Sequence, residues 1–141
     1  MVEELLAYSK VDIEDLDKLM HELSATSFCN VEILDAIVSD ANSHAYVIRE
    51  EGKIVAAGTL CVMHSLEFTL ANIESVVVSS KYRGKGYGRR LVGHIISEAK
   101  RLRVKTIHLT SNPRRIEANA LYQKMGFERY ETNCYVLEIW R

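Results

Sequence analysis

Arg83-Gly84-Lys85-Gly86-Tyr87-Gly88-Arg89-Arg90 is the stretch whose residue types and spacing carry the most chemistry. Three glycines in five positions free the backbone from Cβ sterics, so successive N–H groups can turn into one concavity. A helix that follows directly adds its N-terminal amides and dipole, and both favour an anion. Such a pocket suits a pyrophosphate. Two other phosphate patterns fail on spacing: Arg89 stands where G-x-G-x-x-G needs glycine, and no Lys-Ser/Thr pair completes a Walker loop. Charge points the same way. Residues 81–105 hold nine bases (Lys81, Arg83, Lys85, Arg89, Arg90, Lys100, Arg101, Arg103, Lys105) against Glu98 alone, whereas residues 1–50 hold eleven acids against Lys10, Lys18 and Arg49. An anionic partner is implied, either nucleic acid or a phosphorylated cofactor. Nucleic acid would need stacking aromatics or a recognition helix, yet Tyr82 and Tyr87 are the only aromatics here and Leu91, Val92 and Ile95 turn inward. No nucleic-acid partner is expected.

Glu74 is the acid that could serve as a base. It lies on the strand read over Asn72–Ser79, where alternation groups it with Val76 and Val78, and a carboxylate among apolar neighbours is costly unless partnered or used. The other reactive types say less. Cys29, Cys61 and Cys134 are far apart without a Cys-x-x-Cys, which fits reduced thiols, and Cys134 has no visible histidine partner for nucleophilic catalysis. His21, His44, His64, His94 and His108 form no H-E-x-x-H pair, so no bound metal is expected. Arg114 and Arg115 after Pro113 could reach a phosphate, and His64 and Glu67 could face an acceptor from the loop before the central strand.

The elements that must position these residues follow from length and periodicity. The chain has 141 residues, of which 48% are hydrophobic, enough for one domain over 1–141 with a real core. No apolar run is long enough for a membrane span, and Glu3 and Glu4 stand where a signal peptide would carry bases. A cytoplasmic protein without a membrane partner is expected. Asp12 reads as the N-cap of a helix over Ile13–Leu23, and Asn30 as the cap of a second, with Leu34, Ile37 and Ala41 inward. Ala45–Arg49 and Ile54–Met63 flank the turn Glu50-Glu51-Gly52-Lys53 as a hairpin. The apolar run Asn72–Ser79 reads as a central strand. A helix from the glycine loop to about Leu102 and a strand over Val104–Ser111 make a parallel crossover. Ile116–Met125 is helical and stops at Gly126. Phe127–Tyr130 and Tyr135–Trp140 should close the chain as a hairpin. The order is α-α-β-β-β-α-β-α-β-β, a mixed α/β sheet with helices on its faces.

Ile73 to Leu91, with Arg83, Gly86 and Gly88 filling the signature Arg/Gln-x-x-Gly-x-Gly/Ala, resembles the acetyl-CoA-binding motif of the GNAT superfamily of N-acetyltransferases. Ala118 to Phe127 is similar to that family's second motif, and the order of elements agrees along nearly the whole chain. The resemblance implies the GNAT fold and an acetyl-CoA-dependent N-acetyltransferase acting on an amine. It implies that Arg83, Gly84, Lys85, Gly86, Tyr87 and Gly88, with Arg89 adjoining, hold the pyrophosphate. It also implies that the backbone of Val76 and Val78 pairs with pantetheine and that Asn119 bonds the cofactor. By the same resemblance Tyr122 takes the position that protonates the departing thiolate, and Glu74 is the expected general base, acting directly or through water. A paired carboxylate is not expected, since Ser75 follows Glu74. A small-molecule amine is the expected acceptor, because the acidic N-terminal half would attract a cation. A protein lysine or N-terminus, and a non-catalytic acyl-CoA-binding module, are the alternatives. The edge offered by Tyr135, Leu137 and Trp140 suits a homodimer.

Overall fold

Ser9, not Asp12, starts the first helix. In the computed structural model, which describes residues 1–140, Ser9 Oγ accepts from the Asp12 N–H while the Asp12 carboxylate accepts from the Ser9 N–H, a reciprocal capping box. The helix, α1, runs Lys10–Leu23. Asn30 caps α2 (Val31–Val38) as its sequence suggests, its Oδ1 accepting from the Ile33 N–H at 3.0 Å. Three strands follow: β2 (Ser43–Glu50), β3 (Lys53–His64) and β4 (Thr69–Val78). The β2–β3 turn has positive φ at both Glu51 and Gly52, the twist that suits a two-residue hairpin. A 3-10 turn at Ser80–Tyr82 and the glycine loop lead into α3 (Tyr87–Arg101), then β5 (Ile107–His108) and α4 (Ile116–Lys124).

Val2–Glu4 forms a strand the sequence did not suggest, β1, paired antiparallel to β2. The sheet order is β1-β2-β3-β4-β5, antiparallel except for the β4–β5 pair. That parallel pair is the crossover expected around α3. Both faces are covered. Tyr46, Ile48, Leu60 and Ile73 pack on Leu91, Val92 and Ile95 of α3 and on Tyr122 of α4. Ala45, Val47, Ala57 and Val77 pack on Leu16 and Leu19 of α1 and Leu34 of α2. The mixed α/β sheet with four helices is the fold class expected.

The closing hairpin does not form. Residues 127–140 carry no strand, although Tyr130 comes beside His108 of β5 with ring centroids 6.2 Å apart. Tyr135, Val136, Leu137, Ile139 and Trp140 remain 78–90% exposed. The reason lies in composition and length: a segment apolar on both faces needs cover on both, and the two residues of β5 offer too short an edge to anchor it.

Asp12 also joins α1 to the sheet. Its carboxylate receives Arg49 Nη1 at 2.7 Å and Nη2 at 3.1 Å, and the guanidinium holds it below the usual carboxylate range. Stability from such a depressed acid is present above the unfolded value and is lost as pH falls through the folded one. Asp12→Asn should therefore lower urea-unfolding stability by about 2 kcal/mol at neutral pH, and the gap from wild type should close below about pH 4.

Candidate active site

Gly84 and Gly86 take φ of 76° and 83°, left-handed values that a residue with a Cβ resists. Gly86 is the N-cap of α3 and offers no side chain to the helix end. Among the described residues, the amides from Arg83 to Arg89 donate to no acceptor; the first helical bond is Arg90 N–H to Gly86 O at 3.1 Å. These are open donors at a helix N-terminus, the arrangement read from the sequence. Gly88 serves packing instead, because a Cβ there would lie 3.3 Å from Leu121 Cδ2 and 3.7 Å from Val78 Cγ2.

Side chains brace the loop from outside. Glu22 of α1 accepts the Ser80 N–H at 2.9 Å and stands 3.7 Å from Arg83 Nη2. Tyr87 Oη donates to Glu50 at 2.6 Å. Lys85 lies over the Tyr82 ring and Arg90 over the Tyr87 ring, at 5.4 and 5.1 Å from the centroids. Arg83 Nε donates to Val78 O at 3.1 Å. Arg89 is left exposed. Sequence reasoning missed Glu22 and Glu50, since neither carries a local signal for a partner across the fold.

Beside the loop, β4 and β5 pair only at Ala71–Ile107 and Asn72–His108 and then part. The Ser79 N–H points to Val55 O on β3 at 2.8 Å, so by strand alternation the backbone groups of Val76 and Val78 turn toward the gap. Two carbonyls there meet arginines: Val78 O meets Arg83, and Val76 O receives Arg115 Nη2 at 3.3 Å. The N–H groups of Val76 and Val78 share that side of the strand. A cleft of about 210 Å³ occupies the gap, lined by Glu74, Ser75 and Val76 from β4, Thr110 after β5, Arg115 and Tyr122.

Tyr122 is 6% exposed. Its ring meets Phe127 edge-on at 5.9 Å. Gly126, at φ 100°, lets the Phe127 N–H return to Tyr122 O at 3.0 Å, which closes the helix as its sequence suggests. Burial pushes the Tyr122 hydroxyl above the usual tyrosine value, and the neighbouring Arg115 guanidinium pulls the other way. The hydroxyl therefore keeps its proton throughout the neutral range. Asn119 Nδ2 donates to Asn112 O at 2.9 Å and to Arg115 O at 2.8 Å. It holds the turn that carries Arg115, and its Oδ1 is the atom left for a ligand.

Glu74 is placed differently from expectation. Thr59 pairs with Glu74 but Ala57 pairs with Val77, so Ser75 and Val76 together oppose Gly58, and Ser75 takes φ 56°. This bulge reverses the alternation. Ile73 and Val76 both face α3, while Glu74 shares the opposite face with Thr59, and its side chain is exposed. It is not an acid buried with Val76 and Val78. Gly58 was the available signal, because a lone strand glycine marks a bulge or a close approach; a Cβ there would come within 3.2 Å of Val76 Cγ2. Arg114 stays exposed, and His64 bonds Thr69 across the β3–β4 loop at 2.9 Å. Among the described residues no group of three or more His, Cys, Asp or Glu side chains comes together as a metal site, and no helix is long and apolar enough to cross a membrane.

A strand, a loop of open amides and a helix set beside a parted strand pair, with a buried phenol lining the gap, make this a mixed α/β protein. The model of the Acetyltransferase (GNAT) family matches residues 11–127, and the chain belongs to that family. It is 25% identical over 107 residues, 74% of its length, to the uncharacterised N-acetyltransferase YjgM of Escherichia coli K12. The match spans 64% of that relative. A solved structure from Agrobacterium tumefaciens, described as an acetyltransferase, superposes with a TM-score of 0.84 at 25% identity, covering 98% of this chain and 99% of that one. The aminoglycoside N-acetyltransferase AAC(6')-Iy, solved in complex with CoA, superposes with a TM-score of 0.79 at 12% identity over 98% of both chains.

Inorganic pyrophosphate should raise the melting temperature through the open amides, less so as salt is added. Gly86→Ala should cost about 1 kcal/mol of stability and remove the pyrophosphate response; a response kept in full would place the anion elsewhere.

Proposed function

We propose that the chain is a single N-acetyltransferase domain that transfers an acetyl group from acetyl-CoA to a primary amine of a small molecule, by direct attack in a ternary complex. The observation that carries this reading is the run of unshared amides from Arg83 to Arg89, on the same chain as a cleft at the parting of β4 and β5 that Glu74 and Tyr122 line. Those residues fit such a ligand. The amides of Arg83, Gly84, Lys85, Gly86, Tyr87, Gly88 and Arg89 would hold the pyrophosphate, the Val78 N–H the pantetheine and the Val76 N–H the thioester carbonyl at its end, while Asn119 Oδ1 would accept from a donor group of the ligand. When bound, the thioester supplies an activated acyl carbon.

An alkylammonium must lose a proton before it can attack. Glu74, exposed at the cleft mouth, takes that proton, directly or through water. The Val76 N–H, turned into the gap, meets the negative charge that develops on the carbonyl oxygen. Tyr122, kept protonated by burial, gives its proton to the sulfur as the carbon–sulfur bond breaks. The nitrogen gives up two protons in all: one passes through Glu74 to solvent before attack, and the second leaves as the amide forms and replaces the one Tyr122 delivers to the thiol. The acidic N-terminal half favours approach of a cationic acceptor, and the free thiols of Cys29, Cys61 and Cys134 suit the cytoplasm. Thiol release from acetyl-CoA with an amine should fall by about 10²-fold in Tyr122→Phe and in Glu74→Gln, with acetyl-CoA affinity retained. Unchanged rates in both variants would remove these roles.

A homodimer is part of the same proposal. An exposed segment such as Tyr135–Trp140, apolar apart from Glu138, is suited to adding to an open sheet edge of a second copy. Sedimentation should find a dimer for wild type and a monomer for Leu137→Glu.

A further inference from the structure

Ser75 lines two cavities. One is the polar cleft with Tyr122; the other, about 250 Å³, lies between the sheet and helices α1 and α2. Its walls include Met20, Phe28, Ile33 and Ile37 over a floor of Ala57, and no charged residue lines it. Thr59 and Ser75 bring hydroxyls to the side where β4 carries Glu74. At the rim, Phe28 is 56% and Ile33 36% exposed, large apolar side chains left partly open to solvent. The cavity thus begins at the bulge and runs away from the thiol side of the site.

Resting on the acetyl transfer proposed above, we infer that the acceptor is a primary amine carrying an apolar arm, alkyl or aromatic, that fills this cavity while its nitrogen lies by Glu74 and Ser75. Size supports a ring with a short chain, since an apolar cavity of about 150 Å³ already takes benzene. Chemistry supports it too. A polyhydroxylated or phosphorylated arm would leave water for walls that offer it no partners, while an apolar arm gains from leaving water and covers Phe28 and Ile33. The ammonium remains at the polar end, where a carboxylate is available.

The test measures thiol release with 2-phenylethylamine and hexylamine against ethanolamine and glucosamine 6-phosphate, with acetyl-CoA affinity taken by calorimetry on the same sample. The apolar amines should exceed the polar ones in kcat/KM by at least about 10-fold. Ile33→Glu, or Phe28→Ser should the first variant not fold, should raise the phenylethylamine KM at least about 10-fold with acetyl-CoA affinity unchanged. Equal rates for polar and apolar amines, with acetyl-CoA bound, overturn this inference alone. A preference for octanoyl-CoA over acetyl-CoA that Ile33→Glu abolishes also overturns it, because the cavity would then take the donor's acyl chain. Failure to bind acetyl-CoA overturns the transfer reading itself.

Discussion

β4 is paired with β3 along its length but with β5 only at Ala71 and Asn72, so the backbone groups of Val76 and Val78 look into a gap. Inside a protein each unpaired main-chain group costs about 1–3 kcal/mol. A fold that leaves such a gap must fill it from elsewhere. Here Arg83 and Arg115 reach in from the loop and from the start of α4 to meet the two carbonyls. The same arginines fix the glycine loop and the α4 turn relative to the strand. Loop, strand edge and Tyr122 thus become one unit, because each supplies what the parted strand lacks.

The bulge at Ser75 divides that unit in two. Without it, regular alternation would put Val76 on Glu74's face, the side of α1 and α2. With it, Val76 returns to the α3 side, and Ser75 becomes the point where a polar cleft and an apolar cavity touch. Gly58 makes this geometry possible, since Val76 of β4, with Leu91 and Ile95 of α3, presses where its Cβ would be. Strain at Ser75 and a missing side chain at Gly58 are two sides of one local exchange.

Legibility in the sequence tracks how local each interaction is. The Asn30 cap, the Gly126 stop and the Gly84–Gly88 turn could be read because each depends on a few adjacent residues and on backbone angles that few side chains allow. The Ser9 cap was missed by three positions because Asp12 is itself half of the capping box, and either residue type can begin a helix. β1 was missed because three residues have too little pattern, and their partner lies more than forty positions away. The reversal at Glu74 was invisible to alternation, which assumes an unbroken ladder. The Tyr135–Trp140 segment has the composition of a buried strand, and the cover it needs is not supplied by the described part of this chain.

The basic segment shows how charge and main chain divide their work. Its clustered cations first suggest direct ion pairing with an anion, yet Arg83 bonds a carbonyl, Lys85 and Arg90 lie over tyrosine rings, and Tyr87 is tied to Glu50. Of the four cations from Arg83 to Arg90, Arg89 is the one without such a partner among the described residues. The groups left open are the amides, which do not rotate and need no side-chain ordering to receive a ligand. Glu22 and Glu50, acids inside a basic neighbourhood, are explained by this arrangement: they hold the loop in shape rather than neutralise it. A donor set built this way favours linked phosphates over single charges, since direction is set by the backbone while the surrounding cations supply only the field.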